Sequence, residues 1–530
     1  MSNHVELETT HRVPADFRLP DLVDAAPDSA TRVDLRSHHL EALYFDTEDL
    51  RLAARGITLR RRTGGNDAGW HLKVPVGEGA KREFHAPLNA EVGHAPQELT
   101  RLVTATTRGA QPRPVARLKT ERVEHVLHVG KPRKDKASKG KNGSQTAQDP
   151  AVIVADDTVT GNVLLGNDAG LVTVSWREIE VELAGASPRQ GSVVEKRLTD
   201  AGAQRDPGGS KLRRLLGERL PTGGTAPDPT ADAVAAVQSY MWNQVETILK
   251  HDMRFRLDEE DAVHQMRVAT RRLRTVLRAF RSVIDRDATE ETANELRWLS
   301  GELSPARDLE VLRERFADEL ARQPDAGENG VLSTAWLNEL DARERAALDH
   351  AHEVLNGQRY FRLLDALEEL RSTPPLHSGA QGAGSEPLSR DLLRAWRRME
   401  KAHRHTETAP TAAERETAWH ELRKAAKRAR YAGEVSEPVL GKPARNARKA
   451  ARNVQEVLGR YQDGVAAREF LTDNLTELAA SVAEEDRPTT LFTLGVVNGL
   501  ERQDADAILA EANEVWSKLP SSKRLAKRVA

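Results

Sequence analysis

The chain has no cysteine, which excludes disulfides, thiolate metal sites and cysteine nucleophiles. Aromatic residues make up only 4% of its 530 residues, a composition that suits helices packed through small aliphatic side chains. No apolar run approaches the length of a membrane span, and the opening MSNHVELETTHRV lacks the apolar core of a signal peptide. A cytoplasmic location is the expectation. A surplus of one charge is missing as well, since 79 Lys and Arg stand against 81 Asp and Glu. Any anion site must therefore be a local concentration of cations rather than a general basic coat. There is no Walker-type glycine loop, HExxH pair or nucleophile elbow, and GGNDAG at Gly64 reads as a turn.

What is present changes character along the chain. Residues 1–219 carry β-branched runs of period two: ITLRRRT, WHLKVPV, VARLKTERVEHVLHV, AVIVADDTVTGN and REIEVELA. Within them Lys131 to Pro150 is rich in Lys, Gly, Ser and Gln and reads as a mobile hairpin loop. Residues 220–232 gather Pro, Gly and Thr into a linker. From 233 to 518 the period becomes helical, broken by PPLHSGAQGAGSEP, which reads as disordered. Residues 519–530 are expected to form a basic, frayed tail.

Strand alternation sorts the charges of the first part into faces. Glu6 with Glu8, Arg60 with Arg62, His71 with Lys73, Arg117 with Lys119, and Glu178 with Glu180 and Glu182 each lie two apart. Such faces are either the wet side of an antiparallel sheet or the lining of a sheet closed on itself. In the second case cations meet a phosphate chain and paired carboxylates hold a hard divalent metal.

The run YFDTEDLRLAARGITLRRRTGGNDAGWHLKVP from Tyr44, followed by REF, ARLKTER, ADDTV, REIEVEL and SKLRR, resembles the CYTH family, the triphosphate tunnel metalloenzymes. The resemblance implies an antiparallel β-tunnel acting on triphosphates with Mg²⁺ or Mn²⁺. Carried over by position, Glu6, Glu8, Glu180 and Glu182 would face the metal, with Glu178 and either Asp156 or Asp157 as further candidates. Arg60, Arg62, Lys73, Arg117, Lys119, Arg122 and Lys211 would hold phosphate oxygens, and Lys73 would also serve catalysis. One departure stands out: the family's Glu-x-Glu-x-Lys opening has Thr10 in place of its lysine.

The helical part repeats itself. HQMRVATRRLR at His264 returns as HELRKAAKRAR at His420, and LSPARDLEV at Leu303 is echoed by LGRYQDGVA at Leu458. On a 100° helix His264, Arg267, Arg271, Arg274 and Arg278 share an arc of about 80°. Met266, Ala269, Leu273, Val276, Leu277 and Phe280 fall on the side that must pack inward. His420, Arg423, Lys427 and Arg430 repeat the stripe, while Arg272 and Arg428 lie off it. A solvated arginine face is one reading. A polyanion site is the other, favoured by the absence of any acid from His264 to Arg278.

These motifs resemble the CHAD family, a conserved-histidine α-helical domain associated with inorganic polyphosphate. The resemblance implies two duplicated four-helix bundles facing across a basic groove, with Asp308 and Asp463 orienting arginines. Histidines are expected to add affinity below about pH 6.5. The whole is an α+β multidomain chain, a β-tunnel followed by an all-α domain. Its expected ligands are polyphosphate and a triphosphate substrate, with association to polyphosphate deposits. Membrane and nucleic-acid partners are disfavoured, the latter for want of stacking aromatics beside the stripes. A non-catalytic adaptor with a weakened tunnel is the alternative, because of Thr10.

Overall fold

The computed structural model describes residues 2–22, 30–77, 80–89, 93–129, 151–166, 173–206, 208–221, 224–321, 331–480 and 484–529. The expected hairpin loop at 131–150 lies outside the described residues. The chain divides into two compact units, Met1–Gly223 and Gly224–Ala530.

The first unit is built on strands β1 (Ser2–Val13), β2 (Ala30–Asp46), β3 (Thr58–Thr63), β4 (Gly69–Gly77), β5 (Ala80–Ala86), β6 (Arg113–Val129), β7 (Val152–Val163), β8 (Thr173–Leu183) and β9 (Gln204–Asp206). Short helices α1 (Arg51–Ala54), α2 (Gln97–Thr100) and α3 (Thr104–Thr107) fill connections, and α4 (Pro188–Asp200) and α5 (Lys211–Leu216) follow β8. The strand order is β5-β4-β3-β2-β6-β7-β8-β1, and β1 pairs back onto β5, so eight antiparallel strands close into a barrel. Closure leaves these eight without a free edge and turns alternate residues inward. β1 serves both sides of the seam: Ser2 to Leu7 pair with β5, and Glu8 to Val13 pair with β8.

Outside the barrel, Val194 and Leu198 of α4 pack on Val152, Val154, Ile179 and Val181. α5 instead packs on inward-facing residues of the barrel, its Leu212, Leu215 and Leu216 against Tyr44, Leu118 and Val159, which share the pleat of Arg122 and Asp157. A Cβ at Gly161 would meet Leu215 at 3.0 Å, so glycine there permits the close approach of α5. Asp46, within YFDTED, is fully buried and accepts hydrogen bonds from the backbone N–H groups of Thr47, Leu52 and Ala53. Its task is to hold the turn into α1.

The second unit is helical: α6 (Ala233–Phe255), α7 (Ala262–Ala279), α8 (Glu290–Glu302), α9 (Ser304–Ala321), α10 (Val331–Leu355), α11 (Gln358–Ser372), α12 (Glu386–Thr408), α13 (Ala412–Leu440), α14 (Lys442–Ala480), α15 (Arg487–Ser517) and α16 (Ser522–Val529). The inward face expected of α7 is buried from Met266 to Phe280, and so are Leu422, Ala425 and Ala429 of α13. α9, α10, α14 and α15 share a core of Phe316, Leu340, Ala467, Leu471, Leu494 and Val497. None of the described helices is long and apolar enough to cross a membrane.

Two expectations are corrected here. PPLHSGAQGAGSEP is not disordered: Leu376 bridges Ile284, Pro375 O accepts from Asp285 N at 3.0 Å, and Ala380 is buried. The backbone after α7 needs partners, and this loop supplies them. Nor does the basic end fray, since it forms α16 and buries Leu525 and Val529. Trp396 Nε1 donates to Pro520 O at 3.1 Å, and Ser522 N donates to Glu400 Oε1 at 2.6 Å. Leu525→Ala is expected to cost about 2–3 kcal/mol, read as a lowered urea midpoint of the helical transition. An unchanged midpoint would contradict the docking of α16.

Candidate functional site

The inward faces of the barrel carry two kinds of charge. On the acidic side, Glu8 of β1 stands across from Glu182 of β8, and Thr10 across from Glu180. Glu6 lies one inward step earlier and lines the same cavity. The cations are Arg60 and Arg62 from β3, Lys73 from β4, Lys81 from β5, Arg122 from β6 and Lys211 from the first turn of α5. The enclosed volume is about 510 Å³.

Neither charge is fully satisfied. Burial and the neighbouring Glu180 push Glu8 up to about 7, and burial and Glu6 push Glu182 up to about 7. Burial, Arg60 and Arg122 push Arg62 down to about 9. By contrast, Glu180 is held well below the carboxylate range, because Lys211 and Arg122 outweigh its burial. Lys73 contacts Glu6 and lies 3.7 Å from Glu8 and 3.6 Å from Glu83. The tunnel thus holds two carboxylates short of a cation, Glu8 and Glu182, beside Arg62, which its cationic neighbours lower even though it contacts Asp67. Arg122 is already paired with Asp157 and Glu180. A metal-bound polyphosphate supplies a cation to Glu8 and Glu182 and an anion to Arg62.

The donor set distinguishes two places for a metal. Asp157, Glu178 and Glu180 bring oxygens within 4.8 Å of one another. Lys211 Nζ already sits 2.9 Å from Asp157 and Glu178 and contacts Glu180, and Arg122 forks onto Asp157 at 2.8 and 2.7 Å. An ammonium occupies that triad. Glu8 and Glu182, with Glu6 beside them, are the carboxylates whose repulsion a hard divalent ion would relieve, and their oxygens suit it.

In the helical unit the two repeated stripes converge. Lys427 of α13 is pushed down to about 7 by burial, by Arg271 of α7, by Arg423 and by Arg267. Arg423 is likewise lowered by burial and by Arg271, against the pull of Asp463. Arg307 of α9 joins His264, whose imidazole burial and Arg307 hold below its ordinary range. The counter-acids are Asp308, 3.1 Å from Arg267, Asp463, 3.7 Å from Arg423, and Glu310, 2.7 Å from Arg307. His420 Nδ1 lies 2.7 Å from Gln462 Oε1. The Nε atoms of Arg267, Arg271, Arg307 and Arg423 are buried without a partner. Such a cluster of cations is short of anions.

Comparison with known proteins fits both halves. The CYTH domain family matches residues 13–216 and the CHAD domain family matches residues 239–472. Two curated relatives from strains of Mycobacterium tuberculosis, each described as an uncharacterized protein, are 35% identical over 523 residues, covering 95% of this chain and 94% of theirs. The chain belongs to the CYTH–CHAD proteins. Among solved structures, the CHAD domain of Ricinus communis is 26% identical with a TM-score of 0.42, over 56% of this chain and 96% of that one. PptA from Streptomyces chartreusis is 20% identical with a TM-score of 0.44, over 54% of this chain and all of that one. A putative adenylyl cyclase from Hippeastrum, described as having a dominant triphosphatase activity, is 19% identical with a TM-score of 0.24, over 42% of this chain and all of that one.

Within the CYTH unit, the structure brings Glu6, Glu8, Glu180, Glu182, Arg60, Arg62, Lys73, Arg122 and Lys211 to one cavity. Arg117 and Lys119 are not among them. Both are exposed on the outer face of β6, where Arg117 lies 3.6 Å from Glu41. Arg122 is an odd number of residues away, so the pleat that turns it inward turns them out. Changing both to Ala is expected to alter tunnel phosphate binding by no more than about two-fold. A larger loss in a binding titration would contradict this placement.

Asp156 is corrected in the same way. It forks with Arg177 at 2.8 and 2.7 Å, and its neighbour Asp157 turns inward. Thr10 is buried against Gly209, its Oγ1 3.5 Å from that carbonyl. Lys81, Glu83 and His85 line the cavity from β5, and the alternation of KREFH was their signal.

Within the CHAD unit, Arg272 and Arg430 are taken up by Glu434, at 3.7 and 2.9 Å, and Tyr240 also donates to that carboxylate at 2.9 Å. They brace α6, α7 and α13 rather than offer free charge. Arg274 is lowered by burial and by the neighbouring cations Arg278, Arg297 and Arg428.

Proposed function

We propose that the CYTH tunnel hydrolyses tripolyphosphate or related triphosphates with Mg²⁺ or Mn²⁺, and that the CHAD groove binds inorganic polyphosphate in the cytoplasm. The observation that carries this is the pairing, in one cavity, of under-neutralised Glu8 and Glu182 with Arg60, Arg62 and Arg122. Glu8 and Glu182, with Glu6 beside them, would hold the metal, which would supply Lewis-acid stabilisation of phosphoryl charge and orient a water. Glu180, committed to Lys211 and Arg122, would hold those cations in place. Arg60, Arg62 and Arg122 bind phosphate oxygens and keep the chain extended along the tunnel. Lys73 and Lys211, each locked among carboxylates, position those carboxylates and add positive charge where the transferred phosphoryl group sits. The CHAD unit raises the local concentration of phosphate polymer for a tunnel on the same chain.

Thr10 favours a second reading, a polyphosphate-binding adaptor whose tunnel holds but does not cleave. Its buried hydroxyl carries no charge where the family has a lysine. Phosphate release from tripolyphosphate with Mg²⁺ or Mn²⁺, run beside a binding titration, separates the two. Metal-dependent release that Glu180→Gln abolishes supports the enzyme. Binding without release supports the adaptor.

The groove has a pH signature. Lys427 sits near 7 before binding, and a bound polyanion raises it, so binding takes up protons. Affinity is expected to be full below about pH 7 and to fall, by at most about ten-fold per unit, as pH rises through that value toward the bound-state pKa. Because His264 is held low, this window lies above the one expected from histidine. Lys427→Arg should flatten it in titrations from pH 6.5 to 8.5; an unflattened profile would assign the proton elsewhere.

A further inference from the structure

A basic face outside the repeated stripes adjoins the groove. α12 reads RDLLRAWRRMEKAHRH from Arg390. Arg394, Arg398, Lys401 and His405 share an arc of about 60°, with Arg397 and Arg404 beside it. Leu392, Ala395, Trp396, Met399 and His403 are buried on the other side. The acids nearby are spent elsewhere. Asp391 is buried, accepting from Ser282 N at 3.2 Å and contacting Arg394, and Glu400 accepts from Ser522 N. Arg397, Arg398, Lys401 and Arg404 are exposed, and none has a carboxylate partner among the described residues.

Two more cations join from the segment after α7. Arg281 is pressed below the ordinary guanidinium range by burial and by Arg286, Arg398 and Arg394, against the pull of Asp391. The link to the groove is Arg428. It lines a cleft of about 540 Å³ with Arg398, Lys401 and His405, and it also lies close enough to lower Arg274 of α7. Glu414 and Glu421 line the same cleft, but Glu414 is engaged by the Thr411 cap and Glu421 by Lys424. Cations therefore run from Arg271 and Lys427 through Arg274 and Arg428 onto α12.

A track of unpaired like charges repels itself, and a linear polyanion is the ligand that relieves it along its length. A single compact phosphate would leave most of it unmet. The aromatic ring of this helix, Trp396, is fully buried, so the face offers no stacking platform for bases. We propose that the α12 face is a second segment of the polyphosphate site, engaged by polymers too long for the groove between α7 and α13. This rests on the groove reading above.

The test uses the full chain with Arg281→Ala, Arg398→Ala and Lys401→Ala combined. Binding of a short oligophosphate and of long-chain polyphosphate is titrated across salt. Expected is a loss of about ten-fold for the long polymer, a salt slope flatter by about two, and unchanged affinity for the short chain. Restoring charge with Arg281→Lys and Arg398→Lys should recover long-chain affinity, which a misfolded variant would not. Equal losses for both lengths, or no loss for either, would overturn the second segment. Wild-type protein that binds neither length would overturn the groove reading itself. Loss of single-stranded DNA binding with polyphosphate retained would assign the face to nucleic acid and overturn the proposal.

Discussion

Arg271→Glu is expected to weaken long-chain polyphosphate binding by about a hundredfold or more. Arg271 is the residue through which the two stripes meet, because it acts on both Arg423 and Lys427 of the other repeat. Reversal removes one cation and places a carboxylate where a phosphate should sit. Two unit charges about 4 Å apart interact by about 4 kcal/mol at an effective dielectric of about 20, and a hundredfold corresponds to about 2.7 kcal/mol. Stability should move the other way. The new carboxylate relieves crowding among Arg267, Arg423 and Lys427, so the variant should unfold at the same temperature as wild type or higher. A variant that unfolds normally and binds as tightly as wild type would remove the groove as the site.

The second large effect lies in the tunnel. Wild-type protein at a Mg²⁺ or Mn²⁺ concentration about a hundred times its dissociation constant should gain about 2.7 kcal/mol of stability. Glu182→Gln should abolish most of that gain, because Glu182 is one of the carboxylates that burial and like charge leave wanting a cation. Loss of one charge-stabilising group also predicts a fall in phosphate release of about a hundred- to a thousandfold. Glu178→Gln tests the other candidate place. If the metal sits in the triad of Asp157, Glu178 and Glu180, that variant and not Glu182→Gln will lose the thermal shift.

Much of this was legible in the residues. Period-two runs marked the barrel strands, and shared parity put Glu6 with Glu8 on one strand face and Glu180 with Glu182 on another. That both faces line one tunnel was implied by the resemblance alone and is seen in the closure of β1 onto β5 and β8. The 3.6 period of α7 separated Met266, Leu273 and Leu277 from the cations correctly. Where resemblance was carried over motif by motif without respecting parity, it misplaced residues: ARLKTER holds Arg117 and Lys119 on one face of β6 and Arg122 on the other. The choice between Asp156 and Asp157 needed the register of β7 against β6 and β8, which sets Asp157 beside Arg122 and Glu178. Arg272 lies off the stripe, where pairing with an acid is one expectation, and Arg430 lies on it; Glu434, which takes up both, has no counterpart in the spacing of the basic residues. The basic face of α12 has a visible i, i+4 spacing but lies outside the internal repeat, so repetition gave no signal for it. The glycine-rich loop at 374–387 reads as disorder by composition. Its order comes from the unpaired backbone at Val283 and Asp285, which no local pattern reveals.

The most direct test of the tunnel is the initial rate of phosphate release from tripolyphosphate against Mg²⁺ and Mn²⁺ concentration, for wild type and Glu182→Gln side by side. Expected is a rate that rises with metal and saturates in wild type, and a variant near background across the same range. Release by both proteins alike would contradict the assignment of Glu182 to the metal. No release by wild-type protein that binds tripolyphosphate would contradict catalysis in the tunnel and leave Thr10 marking a binding site alone.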